Sequence, residues 1–261
     1  MTKQKIKRYI PLLVVIILFV FLVATKIKDE MNEQTITLTV PVAGTTIYLN
    51  NKKEVVTKKP NEEIVLSPKV GVYLIIAFRN DLWPWQKNFV LQKGEHYVAS
   101  VFTVKNSPTY SLIPEYTLKD NVGIQNNAYK EIVALFNNIP KKQTSSNSFV
   151  SIEINPDGQN ISAAWLKEES TLPRFFCKNT VCEETFLVLP ASQPVRQISF
   201  YPDRDDRIIF STGTTIWIIE LDRNEVQNAQ PLYTGNMPEF IQGPGDNLYV
   251  KDAGKIMLVD L

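Results

Sequence analysis

The chain has little of the material from which metal and redox centres are built. It contains one histidine, His96, and two cysteines among 261 residues. A structural zinc site usually takes four Cys, His or carboxylate ligands, so a lone histidine does not predict one. Neither a G-x-S-x-G nucleophile elbow nor a P-loop glycine motif is present, although His96 would serve as a base if the fold brought a serine to it. We therefore expect no catalytic residue, no bound metal and no cofactor.

The chain also lacks a surplus of charge of either sign. Lys and Arg total 28 against 27 Asp and Glu, a net charge of +1. Nucleic-acid binding normally needs a clustered basic face, so no nucleic-acid partner is predicted. The balance hides an asymmetry, because residues 1–8 hold four basic and no acidic residues. The remainder then carries 24 basic and 27 acidic residues, a mildly acidic body behind a basic tip.

Residues 9–25 form the one long apolar run, YIPLLVVIILFVFLVAT, with no charge in it. As a helix of roughly 1.5 Å rise per residue it comes close to the thickness of a hydrocarbon core. The basic residues before it predict a cytoplasmic N-terminus and an exported body. A cleaved signal peptide is the alternative, although Leu22-Val23-Ala24 is a poor cleavage site. We expect residues 1–28 to be a cytoplasmic tip and transmembrane anchor of a single-pass cell-membrane protein.

Residues 35–106 alternate apolar and polar side chains between turn signals, which is typical of short β-strands. Asn50-Asn51 is suited to the positive-φ positions of a hairpin turn. The pattern predicts a small β-sandwich. The predicted strands are TITLTV (35–40), TIYL (46–49), EIVL (63–66), VYLIIAF (72–78), KNFVL (87–91) and HYVASVFTV (96–104).

This stretch resembles a PEGA domain, a small extracytoplasmic β-module of bacterial surface proteins. The resemblance lies in PVAG (41–44) with TIYLNNKK, in Lys59-Pro60, in the LSP (66–68) that leads to GVY (71–73), and in RNDLWPWQKNFVLQKGE (79–95). Members of the family are mostly scaffolds or binding modules, so the resemblance implies binding without chemistry.

Trp83-Pro84-Trp85 is the feature of this module that points to a ligand. Two tryptophans at positions i and i+2 share a face of an extended chain, and flat aromatic rings can stack on sugars. The alternative, which we favour, is that both indoles complete the apolar core or pack at a sheet edge. Trp83 and Trp85 are thus candidate stacking residues.

Residues 107–147 lose the alternation and contain several prolines, which predicts a linker. One apolar-periodic piece interrupts it, AYKEIVALFNN (128–138). It places Tyr129, Ile132, Val133 and Phe136 on one helical face, so it is either a short helix or the first strand of the C-terminal region.

Residues 148–261 contain a repeat. SFVSIEINPDGQNISAAW aligns with VRQISFYPDRDDRIIF and, more weakly, with PEFIQGPGDNLYV, so that Pro156, Pro202 and Pro244 correspond. A period of about 40–45 residues built of short strands is typical of β-propeller blades. The segments NPDG…ISAAW, YPDRDDRIIFSTGTTIWIIELD and PLYTG resemble the TolB-type, WD40-like repeat. The resemblance implies an all-β chain that ends in a partial propeller.

Closed propellers have typically four to eight blades, and fewer than that fit here. An unclosed array leaves a strand edge that pairs or aggregates. Truncation of a longer chain, closure by self-association through this edge, and an open stack of sheets all remain as explanations.

Two smaller motifs have alternative interpretations. Asp203, Asp205 and Asp206 could bind calcium, but the interleaved arginines favour a solvated turn with internal ion pairs. Cys177 and Cys182 flank a turn-like insert, and outside the cytoplasm such a pair is expected to form a disulfide rather than a redox centre.

The sequence predicts a membrane-anchored, extracytoplasmic binding or scaffold protein of the bacterial cell envelope, without catalysis. Envelope proteins or polysaccharide are its expected partners. The alternatives are a sensory ectodomain of an envelope regulatory complex and the propeller part of a longer, peptidase-like protein.

Overall fold

The computed structural model describes residues 34–119, 122–137, 139–168, 172–178, 181–190, 193–223 and 227–261. The predicted anchor at residues 9–25 lies outside them. Across the described ranges, none of the helices has the length and apolarity to cross a membrane. The described chain is mostly β-strand in several antiparallel sheets, which confirms the predicted all-β fold class.

The chain divides into two compact units. The first comprises the described residues up to Ile75 together with Asn88–Val101, and the second comprises Ile76–Lys87 and Phe102–Leu261. The strands of the first part of the chain are β1 (Thr35–Val40), β2 (Thr46–Leu49), β3 (Lys52–Val56), β4 (Glu62–Leu66), β5 (Gly71–Phe78), β6 (Trp85–Leu91) and β7 (His96–Ser100). They form a three-stranded sheet, β4-β1-β7, and a four-stranded sheet, β3-β2-β5-β6.

Strand β1 is the centre of the three-stranded sheet. It pairs antiparallel with β4 and parallel with β7, so Thr37 lies opposite both Val65 and Val98. The alternate positions Ile36, Leu38 and Val40 are fully buried. The period of two in TITLTV thus separates a core face from an outer face, as the sequence predicts.

A ring contact between two residues of the first unit joins the three-stranded and the four-stranded sheet. The rings of Phe89 on β6 and Tyr97 on β7 stack with centroids 4.4 Å apart. Between β2 and β3, Asn50 and Asn51 both have positive φ, 48° and 65°, which confirms the predicted hairpin turn. The sequence prediction missed β3, because Lys52–Val56 is largely exposed and shows no clear alternation.

The described residues of the second unit form one α-helix and the remaining strands. The helix is α1 (Asn127–Phe136). The strands are β8 (Thr109–Ile113), β9 (Tyr116–Lys119), β10 (Val122–Gln125), β11 (Lys142–Thr144), β12 (Val150–Ile154), β13 (Asn160–Trp165), β14 (Cys177–Lys178), β15 (Val181–Cys182), β16 (Thr185–Pro190), β17 (Val195–Phe200), β18 (Arg207–Thr212), β19 (Thr215–Glu220), β20 (Ala229–Thr234), β21 (Glu239–Gln242), β22 (Leu248–Asp252) and β23 (Lys255–Asp260).

Three four-stranded sheets account for most of this unit. They are sheet I (β11-β12-β13-β16), sheet II (β17-β18-β19-β20) and sheet III (β21-β22-β23-β8). The aligned prolines Pro156, Pro202 and Pro244 lie in the turns after β12, β17 and β21, respectively. In the first of these turns Asp157 Oδ1 accepts from the backbone N–H groups of Gln159 and Asn160, at 2.8 and 3.1 Å. The repeat in the sequence is therefore a repeat of the same strand–turn–strand unit.

Glutamine side chains join neighbouring sheets. Gln143 on β11 donates to the carbonyl of Ile198 on β17 at 3.0 Å. Buried Gln197 on β17 accepts from the backbone N–H of Phe240 on β21 at 2.8 Å. An apolar core that includes Ile152, Phe176 and Ile208 lies between sheets I and II.

The stretch predicted as a linker is structured. Residues 107–147 contain β8 to β11 and α1. The helix alternative is confirmed, because α1 buries Ile132 and Phe136 against Ile256 of β23, after an N-cap in which Asn126 accepts from the N–H of Ala128. Strand β8 escaped detection because TYSLI is short and lies between Pro108 and Pro114, which favour a linker over a strand.

Strand β8 completes sheet III by pairing antiparallel with β23, with Tyr110 opposite Val259 and Leu112 opposite Met257. The segment MLVDL (257–261) lies largely in β23, which is paired on both sides, with β22 and with β8. The two edge strands of sheet III are β21 and β8.

Candidate binding groove

A groove of about 300 Å³ lies between the outer strands of sheets II and III. We call it the aromatic groove. It is lined by Trp83, Asn106, Ser107, Pro108, Tyr110, Pro231, Leu232, Tyr233 and Thr234. No charged side chain lines it. Its lining includes one of the predicted site residues, Trp83.

Two tyrosines from different sheets form one wall of the groove. Tyr110 on β8 and Tyr233 on β20 meet edge to face with ring centroids 5.2 Å apart. The Tyr110 hydroxyl donates to the backbone carbonyl of Leu232 at 2.6 Å. Pro231 can lie in β20 because this is the outer strand of sheet II, where a missing N–H costs no ladder bond.

Asp252 fixes the second tyrosine from behind. The Tyr233 hydroxyl donates to Asp252 Oδ2 at 2.9 Å, and the backbone N–H of Asn236 donates to Asp252 Oδ1 at 2.9 Å. Burial and the nearby Asp252 raise the pKa of Tyr233 to about 12, so its hydroxyl stays a protonated donor at neutral pH. A Cβ on Gly235 would lie 2.2 Å from Asp252 Oδ2, so only glycine permits this close approach.

The third aromatic, Trp83, comes from the segment that precedes β6. Its backbone N–H donates to the carbonyl of Val104 at 2.9 Å. Its indole N–H is buried and has no acceptor among the described residues. Trp85 is different, because it opens β6 and is only 1% exposed. The two indoles therefore do not form one exposed face: alternation applies within a strand, and Trp83 lies before the strand begins.

An amide bracket holds the Trp83 segment on sheet II. The side chain of Asn228 accepts from the backbone N–H of Gln86 at 3.0 Å and donates to its carbonyl at 3.1 Å. Gln230 on β20 donates to the carbonyl of Pro84 at 3.1 Å. Backbone groups on both sides of Trp85 are therefore tied to sheet II.

A buried ion cluster reinforces this attachment. Lys87 is 4% exposed, lies 3.0 Å from Glu220 Oε2 and also pairs with Asp222 Oδ2. Asn228 donates to Glu220 as well, at 2.9 Å. Burial alone lowers the pKa of Lys87, but the two carboxylates outweigh burial and raise it above its ordinary value. The charges pair with one another, so the cluster positions the segment and offers no unpaired acid or base to a substrate.

The two cysteines form the predicted disulfide, Cys177–Cys182, across the short hairpin β14–β15. Arg223 attaches this hairpin to the loop after β19 by donating to the carbonyl of Val181 at 2.7 Å and pairing with Glu183. The hairpin lies in the second unit apart from the aromatic groove lining.

The acidic turn is used for internal pairing. Arg204 donates to Asp206 Oδ1 at 2.8 Å, and Arg207 lies 3.5 Å from the same oxygen. Asp205 accepts from Asn147 at 2.7 Å. In the part of the chain that the structure describes, no group of three Asp, Glu, His or Cys side chains is placed to hold a metal ion. His96 is on β7 of the first unit, with its Nδ1 2.8 Å from the hydroxyl of Thr35.

Sequence reasoning found one of the three aromatics of the groove. Tyr110 lies in the stretch predicted as a linker. Tyr233 lies in PLYTG (231–235), a segment predicted only to be part of the repeat. Nothing local distinguishes either residue, because the groove exists only once β8 and β20 lie side by side. No protein-family model matches the chain, and no curated protein is significantly similar to it.

Proposed function

We propose that this protein is a non-catalytic binding or scaffold protein of the bacterial cell envelope. In this proposal residues 9–25 anchor it in the membrane, and the body lies on the extracytoplasmic side. The first unit would be a PEGA-like module and the second a partial, TolB-like propeller. The observation that carries the proposal is the aromatic groove, an uncharged concave site with rings on its walls.

The treatment of buried charge supports binding over catalysis. Active sites hold acids and bases whose pKa values are adjusted for proton transfer in a cleft. Here the buried Lys87 is fully engaged with Glu220 and Asp222, and the groove lining carries no charge. The groove thus has surface for contact and orientation. The titratable groups in its lining are the phenols of Tyr110 and Tyr233, whose raised pKa values keep them protonated at neutral pH.

The disulfide supports export. Disulfides form and persist in oxidising compartments and are rare in the cytosol, where thiols are kept reduced. Cys177 and Cys182 face each other in a two-residue-per-strand hairpin, and no free cysteine remains. The apolar run at residues 9–25 with its basic flank points to the same side of the membrane.

The strand arrangement of the second unit supports the propeller relationship. The corresponding strands of successive sheets are neighbours, because β12 contacts β17 and β17 contacts β21. In propellers the blades are four-stranded sheets set around an axis, and one blade commonly takes strands from both ends of the array. Sheet III has this composition, since β8 precedes sheets I and II and β21–β23 follow them.

The test of binding uses the full chain in detergent micelles and envelope from which the lipids have been extracted. We expect the protein to co-sediment with this material, and Trp83→Ala and Tyr110→Ala to weaken the co-sedimentation by about tenfold, since each removes an aromatic contact surface. Tyr116→Ala is the matched control, because Tyr116 is 57% exposed and lies outside the groove lining. Equal retention of all four proteins, or retention of none, would refute the proposal.

Topology is tested separately in cells that express the full chain. Protease added to spheroplasts should digest the body, and Cys177 and Cys182 should resist alkylation until a reductant is added. Protection of the body in intact spheroplasts, with both cysteines alkylated directly, would place it in the cytoplasm and overturn the localisation.

A further inference from the structure

We infer that the aromatic groove binds an uncharged glycan chain and discriminates against proline-rich peptide. This inference rests on the proposed function and names the class of its ligand. The juxtaposition that carries it is Trp83, Tyr110 and Tyr233 around one groove, with both phenol hydroxyls already committed as donors to the protein.

The lining first excludes charged ligands. Phosphate and carboxylate recognition uses Arg or Lys forks, or the N–H groups of a helix N-terminus. The aromatic groove offers neither, because its polar members are Asn106, Ser107, Thr234 and the two phenols. A neutral ligand is the chemical match.

Aromatic walls then leave two neutral candidates. The axial C–H faces of a sugar ring can pack on a flat aromatic ring, and a polyproline II strand packs its rings between Tyr and Trp side chains. Both present an apolar face with a polar periphery, so the rings alone do not decide between them.

Hydrogen-bond polarity decides. Tyr110 donates to the Leu232 carbonyl at 2.6 Å and Tyr233 donates to Asp252 at 2.9 Å, so each phenol oxygen can only accept from a ligand. A polyproline strand has carbonyl acceptors and no N–H, so it could accept from the Trp83 indole N–H but would leave both phenol oxygens without a donor. A glycan has hydroxyl donors, which pair with those phenol oxygens.

Asn106, Ser107 and Thr234 are the remaining polar side chains of the lining, and each can pair with a ligand hydroxyl. Asn106 Nδ2 donates to the carbonyl of Asn80 at 2.8 Å, which fixes the amide while leaving its oxygen to accept from a hydroxyl. Ser107 and Thr234 carry hydroxyls that can donate or accept. A volume of about 300 Å³ is at the small end for a ligand site, so a short stretch of a longer chain would occupy it.

The experiment titrates the full chain in detergent micelles with four probes. These are neutral linear hexasaccharides of glucose and of N-acetylglucosamine, a decaproline peptide and polyglycerol phosphate. Binding is followed by tryptophan fluorescence and by affinity electrophoresis. We expect a neutral hexasaccharide to bind, decaproline and polyglycerol phosphate not to compete, and Trp83→Ala to raise the Kd by about tenfold. Tyr116→Ala should leave the Kd unchanged.

Tyr233→Phe tests the polarity argument without removing a ring. It should weaken the hexasaccharide several-fold through loss of the accepting oxygen, and near-ultraviolet circular dichroism should confirm that the variant is folded. The inference is overturned if decaproline binds in a way that depends on Trp83, or if neither hexasaccharide binds. If co-sedimentation with envelope still depends on Trp83 in that case, the proposed function stands and only the ligand class is wrong. If co-sedimentation is lost too, both fail.

Discussion

The two units bury polar groups in different ways. In the first unit the buried polar side chains are Thr45 and Thr57, whose hydroxyls bond to backbone groups of the same loop region. In the second unit buried Lys87 reaches Asp222 across 135 residues of sequence, and Gln197 reaches β21 across 43. Strand alternation suffices to assemble a small two-sheet module. Fixing several sheets and a docked segment in one arrangement uses buried polar groups with distant partners, a role that such groups can fill even where they add little net stability.

The largest expected effect comes from breaking the ion cluster of Lys87, Glu220 and Asp222, in which the lysine is far from both carboxylates in the sequence. Lys87→Met leaves the buried Glu220 and the half-buried Asp222 without their cation, so we expect the free energy of unfolding to fall by about 3–5 kcal/mol. Lys52→Met is the matched control in the first unit, because the Lys52–Glu54 pair is exposed and worth about 1 kcal/mol or less. Denaturation of the Lys87 variant is followed by tryptophan fluorescence, which reports the second unit because positions 83, 85, 165 and 217 all lie in it. The Lys52 variant is followed by amide hydrogen exchange of β2 and β3, which reports the first unit. Equally mild effects of both substitutions would erase the contrast between the units.

The corresponding core test lies in the first unit. Leu38 is fully buried on β1, so Leu38→Ala should lower the local stability of β1 by about 2–5 kcal/mol through lost burial and the cavity left behind. Thr37→Ala, on the outer face of the same strand, should change it by about 0.5 kcal/mol or less. Amide hydrogen exchange of β1, β4 and β7 measures both. Similar loss of protection in the two variants would mean that the alternation of β1 does not define its core face.

The disulfide gives an intermediate effect confined to the second unit. Replacing both Cys177 and Cys182 by serine should cost about 2 kcal/mol on the chain-entropy account, since the closed loop is short. The tryptophan-detected transition should move, whereas hydrogen exchange of β1 should not. A shift of β1 exchange of the same size would show that the hairpin stabilises more than its own unit.

The smallest effect is a pH dependence. Burial alone raises the pKa of Asp206, but the hydrogen bond from Arg204 and the charge of Arg207 outweigh it and hold the pKa below its ordinary value. The stabilisation is therefore present above the unfolded-state pKa of about 3.9 and is lost as pH falls through the lower folded value. Asp206→Asn should be less stable than the parent at pH 7, and the difference should vanish in strong acid. Glu62 on β4 of the first unit, whose pKa is lowered chiefly by the backbone N–H groups of Lys58 and Lys59, is the control, and Glu62→Gln should give a smaller difference. A gap between Asp206→Asn and the parent that does not change with pH would contradict this assignment.

Local features were predictable from the sequence. The period of two in TITLTV, the Asn50-Asn51 turn, the helical face through Ile132 and Phe136, and the Cys177–Cys182 pair each depend on residues close together in the chain. The strand–turn–strand repeat was visible because Pro156, Pro202 and Pro244 are fixed turn formers.

The candidate site was not predictable in the same way. Trp83 carried an aromatic signal, but its neighbour Trp85 carried the same signal and is core. The two tryptophans differ because β6 begins at Trp85, after Trp83. Trp83 shares a groove with Tyr110 and Tyr233 only because β8 pairs with β23. Strand β8 shows only a five-residue alternation between two prolines, which is too short to distinguish a strand from a linker.

The pairing of β8 with β23 also sets an order of events during folding. Thr109 and Asp260 are bonded across 151 residues of sequence, so this ladder forms only after both sheets between them have been synthesised. Contacts of such long range are slow to close, and until then β8 is an unpaired strand that displays Leu112 and Tyr110 to other chains. Since Tyr110 is also a wall of the aromatic groove, an unfinished molecule has no groove. Ligand binding would then be acquired in a single late step, and ligand present at that moment would favour the closed sheet over its aggregation-prone precursor.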